Sequence, residues 1–330
     1  MPLRDAHNRT IRDLRISLTD RCNFRCFYCL PNGEPPLARK ETILTFEEIE
    51  RIARIFVSLG IEKIRLTGGE PLIRKDVPEL VSRLSQLKPA LLDLALTTNG
   101  FDFPRKAEAL KLSGLDRVTL SLDSLDPKRF VEITGVDALQ KVLDSITAAK
   151  QLGFEPLKIN AVIIRGRNDD ELVDFARFAR DNDVAMRFIE FMPLDSGHEW
   201  SREMVVSGRE MFERIDAVFP LHKKQDDRGS ETAWKYSFAD GGKGEIGIIA
   251  PVTEMFCGAC SRIRLTADGQ IRTCLFSNTE HNLRDRLRNG ASDKQIAEFI
   301  EQVTLKKEPR HFINDAAFVQ PTRTMSFIGG

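Results

Sequence analysis

Six stretches rich in β-branched and aliphatic residues recur across the first two hundred positions, at 14–18, 63–67, 92–97, 117–121, 157–164 and 185–191. Amphipathic stretches separate them, and successive strands joined by helical crossovers run parallel. The first helix carries its own start and stop signals. Thr45 stands as N-cap with Glu48 three residues on, Ile49, Ile52, Ala53 and Phe56 share one face, and Gly60 ends it. Further helices are predicted at 77–87, 104–112, 138–152, 170–181 and 208–218. The fold class is therefore α/β. An incomplete (β/α)6 TIM-like barrel is the expected arrangement, and an open doubly wound sheet would leave the same signature.

From about residue 221 the pattern changes. Short strands are predicted at 232–238, 244–249 and 262–266, then at 270–274 across the Ala267-Asp268-Gly269 turn, as one antiparallel meander. A helix at 293–305 and an irregular tail ending Ile328-Gly329-Gly330 follow. So small a unit cannot bury a core of its own and is expected to pack on the open side of the barrel. The expected division is 1–220 for the barrel and 221–330 for a small C-terminal antiparallel β/α extension.

Composition narrows the function. Lys plus Arg and Asp plus Glu stand at 49 each, so zero net charge supplies no general field for nucleic acid. No apolar run reaches the length of a membrane span, and residues 1–14 lack a signal-peptide apolar stretch. A cytoplasmic enzyme with no nucleic-acid and no membrane partner is expected.

All six cysteines fall into two groups of three, Cys22, Cys26 and Cys29 near the start and Cys257, Cys260 and Cys274 near the end. Structural zinc wants four ligands, and the first group has no fourth Cys and no His in the following hundred and fifty residues; His7 lies upstream. The second group's Cys-x2-Cys is the commoner zinc spacing. Disulfides are not expected in a chain of this size without a secretory signal. Two [4Fe-4S] clusters, each held by three thiolates and so each with one iron open to a small molecule, account for all six.

In parallel α/β folds the loops after the strands form the ligand-binding face. The first cysteine group follows strand one, Thr67-Gly68-Gly69-Glu70-Pro71 follows strand two, Thr97-Thr98-Asn99-Gly100 strand three and Ser121-Leu122-Asp123-Ser124 strand four. Lys158 and Asn160 lie on strand five, and Arg187, Glu190 and Met192 on or just after strand six. A Gly-Gly pair alone reads as a plain strand-to-helix turn. Beside a ligand, absence of Cβ lets an ammonium group approach the backbone. Any one of the cations reads as a solvated or salt-bridged surface charge; their recurrence at strand ends points to a polyanion.

The Cys22-x3-Cys26-x-Tyr28-Cys29 run with Gly-Gly-Glu-Pro after the second strand resembles the radical S-adenosylmethionine (SAM) superfamily. The stretches 14–26 and 65–71, the second cysteine group and the Gly-Gly end more narrowly resemble the GTP 3′,8-cyclase family of molybdenum-cofactor biosynthesis. The resemblance runs from residue 14 to 330. It implies that Cys22, Cys26 and Cys29 hold a cluster whose open iron chelates SAM, with Tyr28, Gly69, Ser121 and Met192 along the SAM site. It implies GTP as substrate, with Arg15, Arg65, Thr97, Lys158, Arg187, Arg262 and Arg264 around it, Lys63 as an addition, and guanine at the open iron of the second cluster. Arg262, Arg264, Gly329 and Gly330 take catalytic positions by the same resemblance, and Arg323 belongs to the same tail pattern.

The implied reaction is abstraction of the 3′ hydrogen of GTP by a 5′-deoxyadenosyl radical, followed by closure of C3′ on guanine C8. A low-potential electron donor of flavodoxin or ferredoxin type and cyclic pyranopterin monophosphate synthase, which takes the product, are the implied partners; a homodimer stays open. Two rivals remain: another radical SAM enzyme with an auxiliary cluster acting on peptide or RNA, and a non-enzymatic electron-transfer or zinc-binding protein. Zero net charge disfavours RNA, and electron carriers usually complete their clusters with a fourth cysteine.

Overall fold

The structure, a computed structural model, describes residues 2–30, 37–195 and 199–329. Twelve strands form one sheet: β1 (Asp13–Ser17), β2 (Lys63–Thr67), β3 (Asp93–Thr98), β4 (Arg117–Ser121), β5 (Lys158–Ile163), β6 (Ala185–Glu190), β7 (Leu221–Lys223), β8 (Trp234–Phe238), β9 (Glu245–Ile249), β10 (Arg262–Leu265), β11 (Gln270–Arg272) and β12 (His281–Asn282). Their order is β12-β11-β10-β1-β2-β3-β4-β5-β6-β9-β8-β7. The six predicted strands all form, within one or two residues of the expected ends. The helices follow suit, from Phe46–Ser58, where Thr45 and Glu48 close a capping box, to Gly208–Asp216, capped by Ser207.

The antiparallel meander expected after residue 221 does not form as one piece. Strand β9 pairs parallel with β6, and β10 pairs parallel with β1. Only β7-β8 with β9, and β11-β12 with β10, are antiparallel, and they lie at opposite ends of the sheet. Local pattern shows that a segment is extended but not which distant strand it will join, so the sequence reading paired each strand with its neighbour in the chain. A helix at Pro127–Thr134 was also missed, although Asp126 before Pro127 is a cap signal; its side chain accepts a hydrogen bond from the Arg129 N–H.

The two faces of the parallel strands differ in kind. Leu14 and Ile16, Ile64 and Leu66, Leu94 and Leu96, Val118 and Leu120, Ile159 and Ala161, Met186 and Phe188, and Ile263 and Leu265 are buried in the main apolar core. The alternate residues, from Asp13 and Arg15 on β1 to Arg262 and Arg264 on β10, line a cavity. A parallel sheet sandwiched between helices would be apolar on both sides. Here the period-two alternation gives an apolar outer face and a charged inner one. Eight adjacent strands contribute to that one cavity, so the sheet curves around it while its ends stay unjoined. No helix among the described residues is long and apolar enough to cross a membrane.

Candidate active site

The first cysteine group sits on the loop after β1. Cys29 and Leu30 donate their N–H groups to the Cys26 carbonyl at 2.9 and 2.8 Å, turning the loop back on itself. The Phe24 N–H points at Cys22 Sγ at 3.4 Å and the Asn99 amide at 3.9 Å. The loop is fixed by the Gly-Gly-Glu-Pro segment, where Gly69 N–H donates to the Thr19 carbonyl at 2.7 Å and Glu70 N–H to the Arg21 carbonyl at 2.8 Å.

That contact explains the glycines differently from the sequence reading. A Cβ on Gly69 would lie 2.2 Å from the Arg21 carbonyl oxygen, and one on Gly68, at φ +149°, 2.6 Å from that of Thr19. The close approach is to the cysteine loop's own backbone, whatever else comes near. Gly69→Ala is therefore expected to destabilise the fold by about 3 kcal/mol, because backbone rather than a flexible side chain must move. A thermal melt indistinguishable from the parent's would refute this.

Buried carboxylates surround the first group. Glu70 accepts from Leu72 N–H (2.9 Å), the Thr98 hydroxyl (2.7 Å) and Asn99 N–H (2.7 Å), and burial pushes its carboxyl up to about 7. Asp123 accepts from the Tyr28 hydroxyl at 2.6 Å and Val162 N–H at 2.9 Å, and burial lifts it to about 6. Burial, and then negative neighbours, raise the thiols: Cys22 to about 11, Cys29 to about 12, and Cys26 well above its usual value through Asp123 and the other two sulfurs.

Three thiols that disfavour one another's ionisation keep their protons until positive metal replaces them. Among the described residues no three His, Cys, Asp or Glu side chains are placed to close on one metal ion.

The cavity has a volume of about 330 Å³, within the range of small-molecule sites. Strand register dictates its charge. Across one rung stand Arg262, Asp13, Lys63 and Asp93, alternating in sign. On the next inward-facing rung stand Arg264, Arg15 and Arg65 abreast, with no acid among them. Like charges side by side repel.

Burial, then neighbouring guanidinium groups, depress Arg15 well below its normal value, Arg65 to about 10 and Arg264 to about 9. Lys158 falls to about 7 from burial and the charges of Arg187, Arg117 and Arg65. Arg187 is lowered by burial as well. Arg65 is held by the Thr97 and Thr119 hydroxyls at 3.0 and 3.1 Å. Asp13, Asp93 and Glu231 act on these cations from the same cavity but do not restore them to their ordinary values, so desolvated positive charge prevails and suits an anion.

The second cysteine group lines the same cavity. Burial would raise Cys260, but Arg262 and Lys307 outweigh it and bring the thiol down to about 6. The Arg262 guanidinium donates to Cys260 Sγ at 3.4 Å, and the His311 N–H to Cys257 Sγ at 3.5 Å. Lys307, 4% exposed, is pinned by the carbonyls of Arg262, at 2.9 Å, and Thr273. Arg9, paired with Asp5 at 2.5 Å, donates to the carbonyls of Cys257 (2.8 Å), Pro309 (2.9 Å) and Glu308 (2.5 Å). Arg262 lies two residues from Cys260, whereas Lys307, His311 and Arg9 come from distant parts of the chain; together they fix the cysteine loop and favour thiolate at Cys260.

The tail joins the two groups. Gly329, at φ +82°, packs where a Cβ would meet Thr67 Cγ2 at 2.8 Å and Ser17 Cβ at 3.1 Å, and its carbonyl accepts from the Arg264 guanidinium. The Ser326 backbone hydrogen-bonds Cys29, while Met325 lines the cavity. Arg323 does not enter the cavity; it pairs with Asp268 and Glu280 at 3.0 Å and anchors the tail. Gly330 lies outside the described residues.

Arg15, Arg65, Thr97, Lys158, Arg187, Arg262, Arg264, Lys63 and Met192 thus converge on one cavity with the second cysteine group. Tyr28, Gly69, Ser121 and the first cysteine group do not line it. Tyr28 is held at the edge by Asp123, Gly69 underlies the cysteine loop, and Ser121 ends β4 opposite Asn160. Sequence reasoning missed Arg117, Asp123, Lys307 and Arg9. Asp123 stood in a quoted strand-end motif, whereas nothing local marks Lys307 or Arg9.

The profile of the radical SAM superfamily matches residues 16–179, and that of Molybdenum Cofactor Synthesis C matches 184–313. Among solved structures, Streptococcus suis SuiB bound to S-adenosylmethionine superposes with a TM-score of 0.61 at 18% identity, over 88% of this chain and 68% of that one. Native anSMEcpe with bound AdoMet gives 0.57 at 15% identity, over 91% and 82%. At such identity these likenesses establish fold. The chain is 44% identical over 326 residues to a GTP 3′,8-cyclase of Syntrophomonas wolfei, covering 99% of both chains. It is 43% identical to the mitochondrial GTP 3′,8-cyclase of Arabidopsis thaliana, covering 99% of this chain and 83% of that protein. A cavity rich in desolvated cations beside the second cysteine group, a first group whose loop is bound to Gly-Gly-Glu-Pro, and likeness over nearly the whole length together place this chain in the GTP 3′,8-cyclase family of radical SAM enzymes.

Proposed function

We propose that the chain converts GTP to (8S)-3′,8-cyclo-7,8-dihydro-GTP, a lyase reaction in molybdenum-cofactor biosynthesis, using two [4Fe-4S] clusters, one at each cysteine group. The observation that carries this reading is the acid-free row of Arg264, Arg15 and Arg65, joined by Lys158 and Arg187, in a cavity walled by Cys257, Cys260 and Cys274. A triphosphate supplies the missing negative charge. A cluster held by Cys22, Cys26 and Cys29 would, on one-electron reduction, cleave bound SAM to methionine and a 5′-deoxyadenosyl radical; that radical would take the 3′ hydrogen of GTP, and closure of C3′ on C8 would be completed by a second electron and a proton.

The residues hold and align the reactants. Arg65, clamped by Thr97 and Thr119, presents a fixed guanidinium, and Lys158 and Arg187 extend the cationic wall. Arg262 and Lys307 favour thiolate at the second group, where guanine reaches the open iron. Tyr28, Gly69, Ser121 and Met192 border the SAM site, and Gly329 closes the space between the two centres. Positioning and exclusion of water are the protein's contribution. The curved, unjoined sheet is an incomplete TIM-like barrel in this reading, with residues 1–220 as its body and 221–330 as the extension. A flavodoxin- or ferredoxin-type carrier supplies the electron, cyclic pyranopterin monophosphate synthase takes the product in the cytoplasm, and a homodimer is compatible with this scheme.

Anaerobic reconstitution should yield about eight iron and eight sulfide per chain if both groups hold cubanes. Incubation with SAM, reductant and GTP should give the cyclised nucleotide by mass analysis. Zinc uptake without cluster absorbance, or SAM cleavage with no change in GTP, would overturn the proposal.

Lys158 adds a pH signature. At about 7 in the empty cavity, it is mostly neutral at pH 8, and a bound triphosphate draws it back toward the ordinary lysine value of about 10.4. Binding at pH 8 should take up nearly one proton, and affinity should fall as pH rises above 7. Below about pH 6 the ammonium is already charged, so uptake should vanish. Calorimetry in buffers of different ionisation enthalpy measures this; no uptake at pH 8 would show that Lys158 does not meet phosphate.

A further inference from the structure

His311 borders the cavity together with all three cysteines of the second group, its two ring nitrogens buried. The residue is only 6% exposed. Its backbone N–H is tied to Cys257 Sγ, and its ring meets Phe276 edge-on at 5.2 Å between centroids. The main chain and one ring face are therefore fixed.

The ring nitrogens are another matter. The Pro251 carbonyl acts on the ring as a weak acceptor, but neither Nδ1 nor Nε2 makes a well-formed hydrogen bond among the described residues. A buried polar group left so is unfavourable, and a ligand that completes it explains why it is kept in a site. Two features say which part of a ligand comes near. The cationic row of Arg264, Arg15 and Arg65 claims the phosphates. His311 lies beside the second cysteine group, where the base stands in the functional reading above, on which this inference rests.

We propose that His311 is a substrate-binding residue whose imidazole hydrogen-bonds the edge of the guanine ring, helping to select base rather than to hold phosphate. A neutral imidazole carries one donor and one acceptor, so it can match a purine edge that an arginine, with donors alone, cannot fully satisfy. Phe276 restricts the ring's rotation, so the bond is pre-oriented.

The test uses the full chain, anaerobically reconstituted, without SAM or reductant. GTP and inorganic tripolyphosphate are titrated separately. His311→Phe should weaken GTP binding about 5- to 30-fold while leaving tripolyphosphate affinity and iron content unchanged. His311→Gln, which keeps a donor and an acceptor at similar reach, should recover affinity to within about threefold. The shorter His311→Asn should fall with Phe and gives a second variant should the aromatic one lose iron.

Unchanged GTP affinity in both the Phe and Asn variants would overturn the assignment. Equal weakening of GTP and tripolyphosphate would do the same, since that is general distortion. A ring-nitrogen coupling to the second cluster in the substrate-free protein would also overturn it, making His311 an iron ligand instead. Failure of the unsubstituted protein to bind GTP would bring down the functional reading itself, a distinct result.

Discussion

Cys22→Ser is expected to leave reductive SAM cleavage at background, a loss of roughly a thousandfold or more, equivalent to about 4 kcal/mol of barrier. Serine is nearly isosteric but remains a protonated alcohol and a poor ligand for iron. Around it, Phe24 N–H and the Asn99 amide would point at an oxygen in place of sulfur. Glu70 and Asp123 are engaged by Leu72, Thr98, Asn99, Tyr28 and Val162, so neither is free to take the place of the lost thiolate. Iron should drop by about half, because Cys257, Cys260 and Cys274 line a cavity that Cys22, Cys26 and Cys29 do not, with partners of their own. Deoxyadenosine formation by the anaerobic variant is the measurement. Turnover near the parent rate would mean that Cys22 is not a ligand.

Arg264→Ala should separate the two halves of the reaction. Cyclised product should fall about 10²- to 10³-fold, the effect of removing one preorganised donor from developing or bound charge. SAM cleavage unconnected to GTP should persist, since Arg264 touches none of the first cysteine group. Two losses combine here. The central row keeps only Arg15 and Arg65, and the Gly329 carbonyl loses the guanidinium that draws the tail between β1 and β2. Product formation and deoxyadenosine release, measured in the same samples, report the split. Proportionate loss of both would place Arg264 in general stability, and equal GTP turnover would remove it from the site.

Much of the site was legible because parallel strands convert sequence order into spatial order. Once β1, β2, β5 and β6 were recognised, Arg15, Arg65, Lys158 and Arg187 had to face one way, for each stands at alternate positions to an apolar neighbour such as Ile16 or Leu66. Less legible were groups joined only by tertiary packing. Arg9 and Lys307 support the second cysteine group from nearly opposite ends of the chain, with no motif between them. Strands β9 and β10 looked like neighbours in a meander, because their alternation is the same whether the partner is local or distant. The Gly68-Gly69 pair was rightly singled out, but its nearest constraint is the Arg21 carbonyl, a contact visible only once two loops are brought together.

The split of the C-terminal strands reaches beyond substrate chemistry. Strands β10-β11-β12 cover the open hydrogen-bonding edge of β1, and β9-β8-β7 that of β6. Unpaired strand edges are templates for self-association, and most proteins blunt them with charge, proline or a covering element. This chain covers both with its last hundred or so residues. A chain stopped near residue 220 would bare the edges of β1 and β6 at once, so the segment bearing the second cysteine group also replaces two long edges by the short strands β12 and β7, and the two duties cannot be separated by cutting the polypeptide there.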